Sequence, residues 1–181
     1  MAHEIELKFM IHDLEKFMAC LKKESISLES GIYQADTIFF RKGKSFLDLA
    51  AGEPVIRIRQ EQDKITTTIK KYLSGIIERE EIECTISSAD EFKKYLLLLD
   101  IVPVVSVYKM RQKGKCGGVN VTVDHVEGLG DFTEFEIVSE NSDREAVEKL
   151  YRIAERLGFR REDRVTMPYD EMIFKKQKLK I

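Results

Sequence analysis

The sequence predicts an α+β fold in which eight antiparallel strands close into a barrel and helices pack outside it. Eight runs of residues alternate between apolar and polar or charged side chains, which is the period of a strand with two unlike faces. Glycine-containing or polar turns separate these runs. Sequential strands joined by short loops favour antiparallel pairing, and eight strands are enough to close a barrel without leaving edges.

The strands and helices are predicted in a definite order. The first strand covers 3–10, and helical spacing of apolar residues follows over 12–28. The other strands are predicted at 33–41, 55–61, 64–72, 76–86, 104–113, 119–126 and 132–139. Further helices are predicted at 88–99, where Ser88 is a suitable N-cap, at 143–157, which Gly158 can end, and near 169–175. No shift of composition marks a boundary, so we expect a single domain over 1–181.

The overall composition excludes several classes of protein. Charged residues make up 34% of the 181 residues, yet the net charge is only −2, which disfavours a nucleic-acid binder. The three cysteines form no C-x-x-C pair, which fits a reducing cytoplasm better than a disulfide framework. The longest apolar stretch contains Asp100 and Pro103, so no membrane segment is expected. We therefore expect a cytoplasmic protein with neither nucleic acid nor membrane as its partner.

Charged side chains recur in phase along the predicted strands. Glu4, Glu6 and Lys8 share one parity, so all three point to the face opposite their apolar neighbours. The same phase recurs in Arg57/Arg59, Thr66/Thr68/Lys70, Arg79/Glu81/Glu83, Lys109/Arg111 and Glu134/Glu136, with Asp124 on the seventh strand. In a single strand this pattern is typical of the wet face of an ordinary sheet. Because most strands repeat it and the helices can cover the apolar faces, we expect the charged faces to line the barrel.

This lining predicts a ligand that carries both charges. Its seven bases are Lys8, Arg57, Arg59, Lys70, Arg79, Lys109 and Arg111, and its seven carboxylates are Glu4, Glu6, Glu81, Glu83, Asp124, Glu134 and Glu136. Desolvating so many charges is costly unless a ligand pairs with them. A metal-bound polyphosphate needs cationic groups around its oxygens and hard carboxylate oxygens around Mg²⁺ or Mn²⁺. The sequence therefore predicts a site for a metal-complexed triphosphate.

The same residues carry a family resemblance. Glu4-Ile5-Glu6-Leu7-Lys8 resembles the E-x-E-x-K motif that opens the CYTH superfamily of triphosphate tunnel enzymes. The motifs that support it are Asp36 after Gln34, Arg57-Ile58-Arg59, Thr68-Ile69-Lys70, Arg79-Glu80-Glu81-Ile82-Glu83 and Lys109-Met110-Arg111. The run over 121–136 is similar to the class IV, CyaB-type adenylyl cyclase branch. The resemblance extends from His3 to about Ile173.

The resemblance implies a metal-dependent enzyme that acts on a nucleoside triphosphate or another triphosphate held in a tunnel. The closest branch implies conversion of ATP to cyclic AMP and pyrophosphate. An inorganic or thiamine triphosphatase and a non-catalytic sensor of nucleotide or polyphosphate remain open. A homodimer also remains open.

The resemblance also implies roles for individual residues. The implied catalytic residues are Glu4, Glu6 and Lys8, and the implied ligands of Mg²⁺ or Mn²⁺ are Glu4, Glu6, Asp124, Glu134 and Glu136. The implied phosphate-binding residues are Lys8, Arg57, Arg59, Lys70, Arg79, Lys109 and Arg111. Lys8 would stabilise charge on the attacking or leaving oxygen.

Overall fold

The structure is a computed structural model that describes residues 3–72, 79–139 and 144–179. Within these ranges the chain forms nine strands and four α-helices, which confirms the predicted α+β class. The strands are β1 (His3–Ile11), β2 (Ile32–Arg41), β3 (Val55–Glu61), β4 (Lys64–Tyr72), β5 (Arg79–Thr85), β6 (Ile101–Cys116), β7 (Val119–Val126), β8 (Gly130–Ser139) and β9 (Arg164–Val165). The helices are α1 (Leu14–Lys23), α2 (Ala89–Leu98), α3 (Arg144–Arg156) and α4 (Tyr169–Lys178).

Local side-chain chemistry sets several helix ends. The Asp13 side chain accepts a hydrogen bond from the backbone N–H of Lys16 at 2.9 Å and caps α1. Ser88 caps α2 as predicted, since its hydroxyl accepts from the Glu91 N–H at 3.2 Å. Gly158 follows α3 with φ +94°, a left-handed conformation that glycine adopts at little cost. None of the helices in the described ranges is long and apolar enough to cross a membrane.

The chain divides into two compact units, each with its own part of an antiparallel sheet. The first unit comprises Met1–Ile32 and Lys109–Met167, and the second comprises Tyr33–Tyr108 and Pro168–Ile181. The strand order is β6-β7-β8-β1-β9 in the first unit and β5-β4-β3-β2-β6 in the second, because β6 contributes to both. The expectation of a single domain stays a prediction.

The strand count corrects the sequence prediction, which had eight strands. The ninth strand, β9, pairs with β1 through only two residues, too few to show an alternating pattern in the sequence. Over the described residues the hydrogen-bonded order begins with β5 and ends with β9, so the predicted closed eight-stranded barrel is not confirmed. Of the strand predicted at 76–86, residues 76–78 lie outside the described part of the chain.

The apolar cores determine which strand faces remain for charged residues. In the first unit, Leu7 and Phe9 of β1 are buried with Leu21 of α1 and Leu150 of α3. Because neighbouring residues in a strand point to opposite faces, this packing leaves Glu6 and Lys8 on the other face.

The second unit contains two apolar clusters. Ile56 and Ile58 of β3 belong to the cluster that includes Leu96 of α2. Val55 belongs to the other cluster, which includes Phe46 and is contacted by Phe174 of α4. Since alternate residues share a face, Arg57 and Arg59 lie on the same face as Val55.

Candidate functional site

In the first unit, the register of four strands brings charged side chains to one face. Lys8 of β1 lies directly opposite Glu134 of β8, and Glu6 lies opposite Glu136. Arg111 of β6 lies opposite Asp124 of β7. Directly opposed residues of antiparallel strands share a face of the sheet, so these residues form one group, which we call the first charged cluster. It consists of Glu6, Lys8, Lys109, Arg111, Asp124, Glu134 and Glu136.

Arg111 is held by hydrogen bonds to two carboxylates of the first charged cluster. Its Nε donates to Asp124 Oδ1 at 2.7 Å, and its Nη2 donates to Asp124 Oδ2 at 2.5 Å. The same Nη2 donates to Glu134 Oε2 at 2.5 Å. The Asp124 side chain is completely buried, and that of Arg111 is 14% exposed. Such two-pronged, charge-assisted bonds fix the orientation of the guanidinium group.

Glu134 is anionic at neutral pH although it is buried. Burial by itself would raise the pKa of Glu134, but the charges of Arg111, Lys109 and Lys8 outweigh burial and lower this pKa from 4.5 to about 2. Lys8 and Lys109 are themselves only 6% and 4% exposed. Three cations therefore face two carboxylates, Glu134 and Asp124, and this part of the cluster keeps one positive charge for a ligand.

Glu6 and Glu136 form a pair of like charges. Their positions are directly opposed in β1 and β8, where Cβ atoms are about 4.5–5.5 Å apart and like charges repel. Glu136 Oε1 also accepts a hydrogen bond from Asn120 Nδ2 at 3.3 Å, which helps to orient its carboxylate. A cation between the two carboxylates would offset their repulsion.

The acidic residues of the first charged cluster suit a hard divalent cation that also binds a phosphate ligand. Within the described ranges, no three His, Cys, Asp or Glu side chains lie together in a group that could hold a metal ion. Mg²⁺, however, usually keeps several waters and needs only one or two carboxylates beside substrate phosphates. Glu6 and Glu136 fit that requirement. Asp124 fits it less well, because Arg111 occupies both of its oxygens.

In the second unit, β2 to β5 hold another group, which we call the second charged cluster. It consists of Asp36, Arg57, Arg59, Thr68, Lys70, Glu81 and Glu83. Arg59 donates from Nε and Nη2 to the two oxygens of Asp36, both at 2.7 Å, and lies opposite Asp36 in the β2–β3 register. Lys70 Nζ lies 3.2 Å from Glu81 Oε2. Arg59 and Lys70 thus each face a carboxylate on a neighbouring strand.

Arg57 is less well satisfied than Arg59. Its Nη2 donates to Thr68 Oγ1 at 3.0 Å and lies 3.7 Å from both Glu81 Oε1 and Glu83 Oε2. Its Nε is buried and has no hydrogen-bond partner among the described residues. Burial, followed by the neighbouring charge of Arg59, lowers the pKa of Arg57. A desolvated cation with an unused donor is suited to an anionic ligand.

For two predicted site residues, Glu4 and Arg79, the structure describes only the backbone. The backbone of Glu4 lies in β1 opposite Val138, and that of Arg79 lies in β5 opposite Tyr72. Their side chains are outside the part of the chain that the structure describes. Their functional roles, like those of all the other predicted site residues, stay predictions.

Sequence reasoning assigned no role to Asp36, which the β2–β3 register sets opposite Arg59. Its signal was available in the sequence, since an aspartate two residues after Gln34 stands within a predicted strand. The spacing along one strand cannot show which residue lies opposite it on the next.

The antiparallel strands carry arginines that are fixed by aspartates, buried lysines and opposed carboxylates. This combination is typical of α+β proteins that bind anionic, metal-complexed ligands. The family model of the CYTH domain matches residues 2–169, and the chain belongs to the CYTH family. This finding confirms the resemblance that the motifs indicated.

Two relatives that carry adenylate cyclase names are similar to this chain over most of their length. The Methanocaldococcus jannaschii protein MJ0240, named as a candidate adenylate cyclase, is 27% identical over 173 residues, which are 93% of this chain and 97% of that protein. Adenylate cyclase CyaB of Aeromonas hydrophila is 30% identical over 164 residues, which are 86% of this chain and 80% of that protein.

Solved structures share the fold. PH1819 of Pyrococcus horikoshii is 27% identical and has a TM-score of 0.80, with 96% of this chain and 99% of that chain covered. The Hippeastrum protein HpAC1, whose description reports a dominant triphosphatase activity, is 18% identical. Its TM-score is 0.66, with 98% of this chain and 96% of that chain covered, and at this identity the likeness shows the fold alone.

Proposed function

We propose that this protein is a metal-dependent enzyme acting on a triphosphate, and specifically an adenylyl cyclase of the CyaB type that converts ATP to cyclic AMP and pyrophosphate. The observation that carries the proposal is the β1–β8 register, in which the Glu6–Glu136 pair stands two residues from the Lys8–Glu134 pair. Two residues along a strand span about 7 Å. Carboxylates for a hard cation thus lie beside ammonium groups for phosphate oxygens.

The proposal assigns metal binding mainly to glutamates. Glu6 and Glu136 would hold Mg²⁺ or Mn²⁺, which supplies charge neutralisation of the phosphates and a fixed orientation of the substrate when it is bound. Glu4 and Glu134 would join them as ligands only if their carboxylates turned toward this pair. Asp124 holds the Arg111 guanidinium in place. Its predicted role as a metal ligand would require Arg111 to release it.

The basic residues would bind the phosphate chain. Arg111, Lys109 and Lys8 would do so in the first charged cluster. In the second unit, taken by itself, Arg57, Arg59 and Lys70 present cations suited to phosphate oxygens, and Arg79 keeps its proposed phosphate-binding role. Phosphoryl and nucleotidyl transfer depend mainly on positioning and on stabilising developing charge, which preorganised cations provide. In the cyclase reaction the ribose 3′-oxygen bonds to the α-phosphorus and the bond to pyrophosphate breaks. The hydroxyl proton is released to solvent, and Lys8 stabilises charge on the attacking or leaving oxygen.

Two kinds of observation support the cyclase. The run over 121–136 is similar to that of the CyaB-type branch, and the two relatives above carry adenylate cyclase names. A second candidate is a triphosphatase acting on inorganic or thiamine triphosphate. It is favoured because the contacts of both clusters are made by charged, hydroxyl and amide groups, which a triphosphatase needs equally.

A comparative turnover assay tests the proposal. Purified protein is incubated with ATP, inorganic triphosphate or thiamine triphosphate in the presence of Mg²⁺ or Mn²⁺, and cyclic AMP, pyrophosphate and phosphate are measured. We expect cyclic AMP and pyrophosphate in equal amounts from ATP. Phosphate release without cyclic AMP would replace the cyclase by a triphosphatase, and tight binding without turnover would leave only a sensor.

Matched variants identify the catalyst in this assay. Glu6→Gln should abolish metal-dependent turnover because it removes half of the opposed carboxylate pair. Asp63→Asn makes the same change of charge at an exposed position between β3 and β4 and should retain activity. If Glu6→Gln turns over substrate as fast as Asp63→Asn, the proposed site is wrong or the turnover comes from another protein in the preparation.

A further inference from the structure

Thr122 of β7 has a buried hydroxyl without a hydrogen-bond partner. The residue is only 8% exposed. Its Oγ1 is buried and has no partner among the side chains and backbone groups that the structure describes. Buried hydroxyl groups are nearly always paired, since an unpaired one loses its hydration without replacement. The hydroxyl of Thr122 is therefore available to a ligand.

The register places this hydroxyl in a row of charged residues. Thr122 lies opposite Lys113 of β6 on one side and opposite Glu134 of β8 on the other. Lys8 of β1 lies opposite Glu134 and completes the row. Since opposed residues share a face, the Lys113 side chain belongs to the same face as the first charged cluster, where it extends the series that begins with Lys109 and Arg111. Lys113 is exposed, in contrast to the buried Lys109.

The surroundings of Thr122 favour an anionic ligand atom over a cation. Lysines stand at both ends of its row, and Arg111 and Lys109 already act on Glu134. A hydroxyl group can donate to an anionic oxygen, and hydrogen bonds to charged acceptors are roughly twice as strong as neutral ones. The carboxylate of Glu134 in the same row does not reverse this preference, because the charges of Arg111, Lys109 and Lys8 offset it.

We propose that Thr122 and Lys113 form an additional subsite for a non-bridging oxygen of the phosphate chain. The inference rests on the proposed function, since it takes the ligand to be a condensed phosphate on this face. Arg111 and Lys113 are two residues apart in β6, or about 7 Å along the strand. Thr122 and Lys113 therefore add contacts beyond those of Arg111. A ligand with more than one phosphate can use both sets of contacts, so the subsite favours diphosphate or triphosphate over orthophosphate.

Binding of inorganic pyrophosphate to the full-length protein tests this subsite. Affinities for pyrophosphate and for orthophosphate are measured by titration calorimetry with Mg²⁺ present. Thr122→Val keeps the side-chain shape but removes the hydroxyl, and we expect it to weaken pyrophosphate binding about tenfold. The same variant should bind orthophosphate within twofold of the wild type. Thr122→Ser, which keeps a hydroxyl, should retain most of the wild-type affinity for pyrophosphate.

Thr133→Val is the matched control. Thr133 of β8 is 0% exposed and its Oγ1 also lacks a partner among the described residues. It lies opposite Phe9, on the apolar face of the sheet. Replacing a buried unpaired hydroxyl by a methyl group should keep or raise the melting temperature in both variants. Only Thr122→Val should weaken pyrophosphate binding, so misfolding cannot account for the difference.

The contribution of Lys113 is tested in the same way. We expect Lys113→Gln to weaken pyrophosphate binding about threefold at low salt and less at high salt, because ions screen an exposed charge. Lys94→Gln makes the same change of charge at an exposed position of α2 and should have no such effect.

The outcomes separate this inference from the proposed function. Equal pyrophosphate affinity of wild type and Thr122→Val would overturn the subsite, whatever the protein turns over. Weaker binding by Thr122→Val in a protein without turnover would keep the subsite and overturn the enzyme. Failure of the wild type to bind pyrophosphate or triphosphate would overturn both.

Discussion

Arg111 and Asp124 form a two-pronged ion pair between adjacent strands, with N–O distances of 2.7 Å and 2.5 Å. Arg59 and Asp36 form the same arrangement in the other unit, with both distances 2.7 Å. In each unit a buried aspartate thus fixes one guanidinium group on the charged face. An arginine that is already oriented loses less conformational freedom when a phosphate binds.

Asp124→Asn should destabilise the protein. The amide can accept through only one oxygen, so Arg111 would keep its burial but lose a full negative charge. Removing one partner of a buried ion pair typically costs about 3–5 kcal/mol, and we expect the low end because Glu134 still contacts Arg111. The free energy of unfolding in urea measures this loss.

A surface pair provides the control for Asp124→Asn. Arg160 donates to both oxygens of Asp163 at 2.9 and 2.8 Å, but these side chains are 70% and 42% exposed. Because water screens this pair, Asp163→Asn should change stability much less. Equal losses in the two variants would show that burial does not govern the strength of the Arg111–Asp124 pair.

Glu134 should make stability depend on pH in the acidic range. Its pKa is about 2 in the folded protein against 4.5 as the ordinary value. A lowered folded pKa means that the ionised form stabilises the fold above about pH 4.5 and that this stabilisation is lost as the pH falls toward 2. The loss should be on the order of 3 kcal/mol relative to Glu134→Gln.

Unfolding of the chelator-treated wild type and Glu134→Gln, followed between pH 6 and about pH 3, measures this dependence. The stability difference between the two proteins should shrink as the pH falls. A difference that stays constant over this range would show that the cations around Glu134 do not hold its pKa down.

The faces of the charged strands could be predicted from the sequence because side-chain direction alternates along a strand. The predicted bounds 55–61, 64–72 and 119–126 coincide with β3, β4 and β7. Pairing between strands could not be predicted in the same way. The partners Asp36 and Arg59 are 23 residues apart, and their contact depends on a register that neither strand encodes alone.

Other features leave no periodic signal in the sequence. The strand β9 has two residues, and its pairing with β1 depends on tertiary packing. An unpaired hydroxyl such as that of Thr122 has no sequence signature either, because a threonine in a strand is equally consistent with good strand propensity. The strand β9 and the unpaired hydroxyl of Thr122 are therefore visible only in the structure, through the strand register and the burial of side chains.

Arg57→Met and Arg59→Met should have opposite effects on stability. Arg57 has an unused buried donor and a pKa lowered by burial, so methionine should leave stability unchanged or raise it while weakening triphosphate binding. Arg59→Met would instead remove the two hydrogen bonds that Arg59 donates to the buried Asp36 and should cost about 3–5 kcal/mol. Melting temperatures and calorimetric binding of inorganic triphosphate distinguish the two. A clear stability loss in Arg57→Met would show that its contacts with Thr68, Glu81 and Glu83 outweigh its burial.

The Glu6–Glu136 pair should link metal binding to stability. Without a divalent cation the two carboxylates repel each other, so Glu6→Gln and Glu136→Gln should each melt at a higher temperature than wild type in chelator. With Mn²⁺ and inorganic pyrophosphate the wild type should gain stability, and each variant should need more metal for the same gain. Melting curves over a range of metal concentrations measure both effects. Asp63→Asn, which removes an exposed carboxylate, should follow the wild type. Variants that melt lower in chelator and respond to metal like the wild type would show that the pair is structural, and the metal would then have to be held elsewhere.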